Sequence, residues 1–391
     1  MSDKKYIIKG LAPWMMDELI AFSKIANFDI IFLRNQDSFY QDEIEKLRLR
    51  GIKILVKPFA LGNIVRKIKV IVKFIVTHIN KFYPDYNFVL GIKSIIWFLR
   101  LDLSHFTKES KIHAQFATQA ALVSYLVKEY FKGEPKYSFT FHAYDIYFNN
   151  RWFKPLVKNS EYAFSISDYN IEYVKNKFID SEKIVLSRLG VFKEALNTTN
   201  KIVQKNKTPF TLGLLSWFVQ KKGISYLLQA MLEIKKRGYE NIKLNLAGDG
   251  PLKGELEEYV KENNLHNTVK FIGKLKGKEK VDFYKEIDVF VLPSITLSKD
   301  KDGIPVVLME AIAYSLPLIS TKVSGIPEIC INQYNGLLIE EKNISDLVNS
   351  IIYLYDNNHK IELFSSNSLI LSNTYDIVKN SKEKMKLLTW D

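Results

Sequence analysis

The chain has 391 residues, of which 47% are apolar, and its net charge at pH 7 is +13. That length accommodates two domains of ordinary size with sizeable cores. The single cysteine, Cys330, excludes a disulfide framework and gives no zinc-ligand spacing. Asp17 and Glu18 interrupt the apolar stretch near the N-terminus, which argues against a signal peptide, and no run reaches the ~20 apolar residues of a membrane span. The sequence therefore predicts a cytoplasmic protein.

Hydrophobic runs followed by helical patterns alternate along both halves of the chain, which predicts β/α repeats and parallel sheets. The stretch 196–208 is polar, rich in Asn and Lys, and lacks a strand signal, so it predicts a linker. We expect an N-terminal domain over 1–195, a second domain over 209–372, and a charged helical segment over 373–391.

Residues 61–81 have the pattern of a basic amphipathic helix. Its basic face comprises Arg66, Lys67, Lys69, Lys73 and Lys81, and its apolar face comprises Leu61, Ile64, Ile68, Ile71, Val72, Ile75 and Ile79. Two compatible interpretations stay open. The apolar face packs on the N-terminal sheet with the cations in water, or the helix makes a peripheral contact with the inner face of an anionic membrane. The basic residues are dispersed and form no reading helix or stacking platform, which argues against nucleic acid as a partner.

A candidate anion-binding loop follows the strand predicted over 210–215. Ser216, Lys221 and Lys222 lie in this loop, and a helix is predicted from Ile224 to about Arg237. Lys222 comes just before the helix N-terminus, where backbone N–H groups and a cation together suit an anion. Taken alone, Lys222 fits an ordinary exposed loop lysine better than an anion ligand.

The segment 301–321 sets Asp302 eight residues before Glu310. Gly303 permits a backbone kink, and Pro305 suits the first turn of a helix, whose free N–H groups would face a phosphate. If both acids belong to that helix, they lie on one side of it, about 12 Å apart along the axis. The candidate ligand-binding residues of this segment are Asp302, Gly303, Ile304, Pro305, Val306 and Glu310.

These segments resemble family 4 of the retaining glycosyltransferases, which have the GT-B fold. The two acids match its E-x7-E signature with Asp302 in place of the first Glu, and Lys222 matches the lysine of its G-R-L-x-x-x-K-G loop. Three more stretches match in order: the turn 248–251 (GDGP), the loop Gly273, Lys274 and Leu275, and the strand 289–294 (VFVLPS). The resemblance implies two Rossmann-like domains whose parallel sheets face across a cleft. It also implies that the last helix crosses back onto the N-terminal domain, with Trp390 as its anchor.

A thinner resemblance covers the N-terminal half. Residues 139–146 are similar to the T-x-H-x-x-D segment of the same family, in which the histidine hydrogen-bonds the reacting hexose. The resemblance gives that role to His142, with a core or capping histidine as the alternative, and Asp145 would hold the following turn. It also suggests that His113 and Trp14 border the acceptor cleft, although a structural role for His113 is equally open.

The resemblance implies retaining, metal-independent transfer of a hexose from a nucleotide-diphosphate sugar, with no further cofactor. Lys221 and Lys222 would bind the diphosphate, Glu310 the ribose, Asp302 the sugar hydroxyls, and backbone groups of Gly273, Lys274 and Leu275 the nucleobase. The acceptor would be a saccharide or a lipid-linked saccharide in the synthesis of a capsule, exopolysaccharide or lipopolysaccharide.

Two departures keep other functions open. Trp217 occupies the position of the family's phosphate-binding arginine, which Lys221 or Lys274 could offset, and Asp302 is one methylene shorter than Glu. The alternatives are a catalytically silent GT-B protein that binds a sugar nucleotide or a partner, and another GT-B-like enzyme such as an epimerase or a phosphorylase. Asp300 and Asp302 also form a D-x-D motif, but a metal-binding D-x-D belongs to single-domain GT-A enzymes, so we treat it as coincidental.

Overall fold

The computed structural model describes residues 3–9, 13–34, 41–82, 85–193, 209–298 and 300–390. The chain divides into unit 1, residues 1–189 with 377–391, and unit 2, residues 190–376. The predicted domain ends were 195 and 372, and the predicted linker 196–208 lies outside the described residues.

Unit 1 is built on a parallel sheet of seven strands. These are β1 (Lys4–Ile8), β2 (Asp29–Phe32), β3 (Lys53–Val56), β4 (Lys111–Gln115), β5 (Lys136–Phe141), β6 (Ala163–Ser165) and β7 (Ile184–Leu186). Their order in the sheet is β3-β2-β1-β4-β5-β6-β7. The connecting helices are α1 (Pro13–Ser23), α2 (Gln41–Leu49), α3 (Ile64–Thr77), α4 (Tyr86–Arg100), α5 (Gln119–Tyr130), α6 (Ala143–Tyr147), α7 (Phe153–Asn159) and α8 (Asp168–Lys177).

Both faces of this sheet are buried, as expected where helices cover a parallel sheet. Alternate residues of β1 enter different hydrophobic clusters: Ile7 packs in one, and Tyr6 and Ile8 pack in the other. The strands β1 and β2 therefore carry consecutive apolar residues, which explains why the sequence pattern identified them.

Unit 2 has a parallel sheet of six strands. They are β8 (Phe210–Trp217), β9 (Ile242–Asp249), β10 (Val269–Gly273), β11 (Val289–Leu292), β12 (Leu318–Thr321) and β13 (Gly336–Ile339). Their order is β10-β9-β8-β11-β12-β13. Its helices are α9 (Ile224–Lys236), α10 (Lys253–Glu262), α11 (Gly277–Glu286), α12 (Val306–Ala313), α13 (Ile344–Asp356) and α14 (Asn358–Leu371).

The last helix, α15 (Ile377–Leu388), belongs to unit 1. Trp390, just beyond it, is fully buried, and its ring lies 5.8 Å from that of Phe28 and 6.2 Å from that of Phe22. The predicted fold class, two Rossmann-like domains with a final helix on the N-terminal one, is confirmed.

The predicted helix over 61–81 forms as α3 and a short 3₁₀ turn over Ile79–Lys81, but the side it buries differs from the prediction. Lys67 was assigned to the basic face in water, yet it is buried and donates to the carbonyls of Ala60, Leu99 and Leu101 at 2.9, 2.8 and 2.7 Å. The carbonyls of Leu99 and Leu101 lie at the C-terminal end of α4, where a cation is favourable.

Burial of α3 is confined to Lys67, Ile71 and Phe74. Five residues of the predicted apolar face are exposed instead: Leu61, Ile64, Ile68, Val72 and Ile79. Packing against unit 1 therefore accounts for only part of the apolar face. Within the described ranges, no helix is both long and apolar enough to cross a bilayer.

Candidate active site

The loop after β8 is held against the end of β11 by a close backbone approach. Gly223 has φ +66°, and a Cβ there would lie 1.9 Å from the carbonyl oxygen of Pro293. The N–H of Ile295 also donates to the carbonyl of Lys221 at 2.8 Å. Only glycine fits at position 223, so the two lysines are fixed beside the carboxyl end of β11. Strand ends of this kind form the sites of open α/β sheets.

A compact cluster of two lysines and two acids forms at this edge. Lys222 Nζ donates to both carboxylate oxygens of Asp302 at 2.9 Å, and Ser294 Oγ donates to Asp302 Oδ2 at 2.7 Å. Lys221 Nζ lies 3.0 Å from Asp300 Oδ1 and 3.8 Å from Asp302 Oδ1. The two acids of the D-x-D motif therefore share a lysine.

Asp302 is ionised in this cluster. Its burial by itself would raise the pKa of the carboxyl, but Lys222 and then Lys221 outweigh it, so the pKa lies below its ordinary value. Lys222 keeps 14% of its side chain exposed. The cluster thus combines a fixed anion with cations that reach solvent.

The helix predicted to begin around Gly303 begins later. α12 starts at Val306, and Pro305 is its N-cap with φ −65° and ψ 128°. Asp302 lies before the helix, so the expectation that it shares a helix face with Glu310 is wrong. The residue preceding a proline is disfavoured in helical conformation, which excludes Ile304 from the helix. No described side chain caps α12, so its first N–H groups are available to an anion.

Glu310 lies in α12 and holds a second cation. Lys280 Nζ is 2.8 Å from Glu310 Oε1, and the hydroxyl of Tyr284 donates to Oε2 at 2.7 Å. Burial, followed by the charge of Glu310, raises the pKa of Tyr284 well above its usual range, so this phenol stays a donor. Each carboxylate oxygen retains a lone pair for a ligand hydroxyl.

The position of the family's phosphate-binding arginine is occupied by Trp217, whose side chain is 55% exposed. Lys274 Nζ lies 5.9 Å from the centre of the Trp217 ring and 3.2 Å from Asp249 Oδ2. A cation that is distant in sequence therefore stands beside the substituted position.

The other predicted donor-binding residues of unit 2 lie in or near β8, β10 and the start of α12. Gly273 has φ +84° at the end of β10, Ser216 is half-buried in β8, and Leu275 is half-buried in the following loop. The end of β9 packs closely on the end of β8, because a Cβ at Gly248 would lie 1.8 Å from the Ser216 carbonyl oxygen. Ile304 and Pro305 are buried, whereas Gly303 and Val306 are half-buried.

In unit 1, His142 follows β5 and is the N-cap of α6. Its backbone N–H donates to Asp145 Oδ2 at 2.8 Å, so Asp145 holds this turn. Burial and then the charge of Lys384 lower the pKa of His142 to about 3, so the imidazole is neutral at pH 7. A neutral imidazole can donate or accept a hydrogen bond to a sugar hydroxyl.

A buried polar network reaches His142 from α15. Lys384 Nζ donates to Glu18 Oε1 at 2.6 Å, Gln115 Nε2 donates to Glu18 Oε2 at 2.6 Å, and Gln115 Oε1 lies 3.3 Å from His142 Nε2. Sequence reasoning missed Lys384, Glu18 and Gln115. Lys384 and Glu18 each read as a surface charge on a helix, and Gln115 is a polar residue at the end of β4, so no local signal marked them.

His113 lies in β4 with no exposed surface, and its Nε2 is 3.0 Å from Thr140 Oγ1. The rings of Tyr6, Phe164 and Trp390 surround it. This placement favours the structural alternative over the acceptor-side role. The side chain of Trp14 lies outside the described residues.

Solved structures with the same architecture are GT-B glycosyltransferases. HepE from Anabaena, solved in complex with UDP, matches with a TM-score of 0.74 and 16% identity over 99% of both chains. The lipopolysaccharide outer core galactosyltransferase WaaB matches with a TM-score of 0.65, also at 16% identity over 99% of both chains. At such identities the likeness establishes the fold, which is GT-B.

Residues 197–368 match the family model described as glycosyl transferases group 1. An uncharacterized glycosyltransferase of Methanocaldococcus jannaschii is 30% identical over 63% of this chain and 65% of its own length. The putative colanic acid biosynthesis glycosyltransferase WcaL of Salmonella typhimurium is 30% identical, over 50% and 48%. The amylovoran biosynthesis glycosyltransferase AmsK of Erwinia amylovora is 32% identical, over 44% and 42%. The chain thus spans between 42% and 65% of the length of these curated relatives.

Proposed function

We propose that this chain is a glycosyltransferase that moves a hexose from a nucleotide-diphosphate sugar to a saccharide or lipid-linked acceptor, with retention and without a metal ion. The observation that carries the proposal is the cluster of Lys221, Lys222 and Asp302. Asp302 comes just before the uncapped N-terminus of α12 in the sequence, and all three residues lie inside the segment that matches the glycosyl transferases group 1 model.

The cluster suits a departing diphosphate. Lys222 and the first N–H groups of α12 supply positive potential that is in place before the reaction and is aimed at the charge that develops on the leaving group. The hydrogen bond from Lys222 to Asp302 positions the Lys222 ammonium. The exposed fraction of the Lys222 side chain leaves room for a phosphate oxygen. Lys221, between Asp300 and Asp302, supplies a second cation.

Glu310 is the residue we assign to the ribose. Lys280 and Tyr284 orient its carboxylate, and its remaining lone pairs would accept the two ribose hydroxyls. The nucleobase would be held by backbone groups of Gly273, Lys274 and Leu275, where β10 ends with a positive φ at Gly273. Asp302 would accept from a hydroxyl of the sugar with the Oδ1 lone pair that Lys222 leaves open.

Retention is expected to proceed on one face of an oxocarbenium-like sugar. The covalent route of retaining hydrolases needs a carboxylate free to act as a nucleophile. Asp302 instead accepts hydrogen bonds from Lys222 and Ser294 on its two oxygens, so it is better suited to hold groups than to attack. His142, neutral at pH 7, would hydrogen-bond the reacting hexose.

The names of similar proteins support the substrate class. WcaL and AmsK are named for colanic acid and amylovoran biosynthesis, and HepE was solved with UDP. We therefore assign the chain to cell-surface polysaccharide synthesis with UDP as the first nucleotide to test. Trp217, which stands where the resembling family has its phosphate-binding arginine, favours a second candidate, a catalytically silent sugar-nucleotide-binding protein.

A thermal-shift screen against nucleotide sugars and free nucleotides, with and without EDTA, tests the donor site. A ligand that binds only the folded state raises the apparent melting temperature, here by about 2 °C or more at saturating concentration. We expect one nucleotide class to give this shift in EDTA, and Glu310→Ala to abolish it. Glu340→Ala is the matched control, because Glu340 lies in the same unit on the surface with Lys322 as its partner.

The outcomes separate the candidate functions. Loss of the shift in EDTA would refute the metal-independent mechanism. A shift without transfer of radiolabelled sugar to any lipid or saccharide fraction would support the silent protein. No shift with any nucleotide would overturn the donor site itself.

A further inference from the structure

The positive charge of the chain is concentrated in one segment. Residues 46–101 contain twelve lysines and arginines and a single acid, Asp85, so they carry +11 of the total +13. Helix α3 lies in this segment and contains four cations and no acid. A surface built from such a segment attracts polyanions.

The same helix exposes a continuous run of aliphatic side chains. We call this run the α3 apolar arc, which consists of Ile64, Val65, Ile68, Val72 and Val76. Their exposed fractions range from 38% to 69%, and Leu61 and Ile79, also exposed, extend the arc at its two ends. At 100° per residue, the five positions fall within about 120° of the helix circumference. Scattered single apolar residues are ordinary on a surface, whereas a contiguous aliphatic stripe marks an interaction site.

The cations of α3 flank the arc. Lys69 and Lys73 lie next to the Val76 edge of the arc on the helix circumference, and both are exposed. Lys73 Nζ lies 2.7 Å from Glu129 on α5. Arg66 lies beyond them, with its guanidinium over the Tyr130 ring at 4.3 Å. The helix therefore has three faces, one buried through Lys67, Ile71 and Phe74, one aliphatic and exposed, and one basic.

We propose that the α3 apolar arc docks onto an anionic lipid surface. Its aliphatic side chains enter the boundary between headgroups and acyl chains, and Lys69 and Lys73 face the anionic headgroups. A helix with one aliphatic and one basic face lies in the plane of the interface in this way. The sequence pattern offered a peripheral membrane contact of residues 61–81. The inference adds which side chains make that contact, because it is the exposed aliphatic residues that require a partner.

Charge complementarity distinguishes lipid from a second copy of the chain. A symmetric dimer through the α3 apolar arc would bring the +11 segments of both protomers together. An anionic bilayer offers both an apolar interior and a negative surface, with each lysine contributing about fivefold to binding near the surface.

Vesicle co-sedimentation of the full chain, without donor or acceptor, measures the contact. We expect binding to mixed phosphatidylcholine–phosphatidylglycerol vesicles, weaker binding to phosphatidylcholine alone, and a loss of at least about tenfold in Val72→Ser/Val76→Ser. Leu369→Ser/Ile370→Ser is the matched control, since these residues are also exposed, by 46% and 60%, in α14 of unit 2. Lys69→Gln/Lys73→Gln should remove most of the preference for the anionic vesicles and retain the residual binding.

A fluorescent label tests which atoms enter the lipid. Cys330 is buried, so an environment-sensitive thiol label will report on Val72→Cys, with Leu369→Cys as the control. We expect a blue shift with vesicles at position 72 only. Three results would overturn the proposal: no binding to either vesicle, binding with an unshifted label at position 72, or a dimer in sedimentation velocity that Val72→Ser/Val76→Ser dissociates. Because no nucleotide is present, none of these results depends on the donor site.

Discussion

The two units hold the charged groups of their candidate sites in opposite ways. In unit 1, Lys384 and Glu18 form an ion pair at 2.6 Å with only 2% and 4% of their side chains exposed. In unit 2, Lys222 and Lys280 also hold acids, but 14% and 38% of their side chains remain exposed. Lys274, beside Trp217, reaches 62%. The charges beside His142 in unit 1 are enclosed by protein, whereas the lysines of the candidate site in unit 2 border the solvent.

The buried pair suits fixed positioning of a neighbouring side chain, whereas the exposed lysines suit reversible binding of a ligand. A buried pair cannot change partners without leaving a charge unpaired, so the network from Lys384 through Glu18 and Gln115 fixes His142. A lysine at the solvent boundary loses little when it shares its protons with an incoming phosphate. In the function that we propose, unit 1 would present a preset group, and unit 2 would receive the anion of the donor.

The largest effect should come from breaking the buried pair. We expect Lys384→Met to lower the free energy of unfolding by about 3–5 kcal/mol, because Glu18 is left buried and unpaired. Urea denaturation followed by circular dichroism measures the change. The exposed Lys382→Met on the same helix is the control and should stay within about 0.5 kcal/mol.

A compensating variant sharpens the same test. Glu18→Gln/Lys384→Met removes both charges, so it should recover part of the stability lost in Lys384→Met. If the double variant is as unstable as the sum of the two single variants, the pair is not coupled and the network does not act as a unit.

The pH dependence of unit 1 is the next effect in size. Burial lowers the pKa of His142 to about 3 from an ordinary value of 6.5, so the unfolded chain takes up this proton first. The resulting stability is present in full above pH 6.5 and is lost as the pH falls toward 3. Histidine NMR should show His142 neutral at pH 5, and urea midpoints should decline over this range. His142→Gln should have a shallower decline, and the exposed His266→Gln is the matched control. An imidazole signal of His142 that titrates near pH 6 would contradict the buried setting.

The smallest effect should come from a change at Trp217, which is exposed beside the candidate site of unit 2. We expect Trp217→Arg to increase the affinity for UDP by up to about tenfold, because a charged, bidentate donor replaces an indole. Stability should change by less than about 0.5 kcal/mol, since Trp217 is largely exposed. Isothermal titration calorimetry measures the affinity, with Trp217→Gln as the uncharged control. An unchanged affinity in both variants would mean that Lys221 and Lys274 already supply the charge.

Much of unit 2 was predictable because its candidate residues lie in short motifs at strand ends. Lys222, Gly273 and Glu310 were each identified from a local pattern, and the structure places them after β8, at the end of β10 and in α12. The spacing from Asp302 to Glu310 was misread because Pro305 delays the helix to Val306. A proline fits several positions around a helix start, so sequence alone did not fix the boundary.

The network of unit 1 could not be predicted, because its members are remote in sequence. Lys384 and Glu18 lie 366 positions apart, and either one alone reads as a surface charge on an amphipathic helix. The exposed face of α3 was missed for a related reason. Periodicity identified an apolar face, but which third of the helix is buried depends on α4 and α5, whose approach places Lys67 inside.

The return of α15 to unit 1 has a consequence for the order of folding during synthesis. Unit 2 is one uninterrupted stretch, so it is complete once Asp376 has left the ribosome. The sheet of unit 1 is synthesised first, yet its core lacks Met385 and Trp390 until about two hundred residues later. The half of the molecule that is made first must therefore wait for the other half, with the cavity for the Trp390 ring open in the meantime.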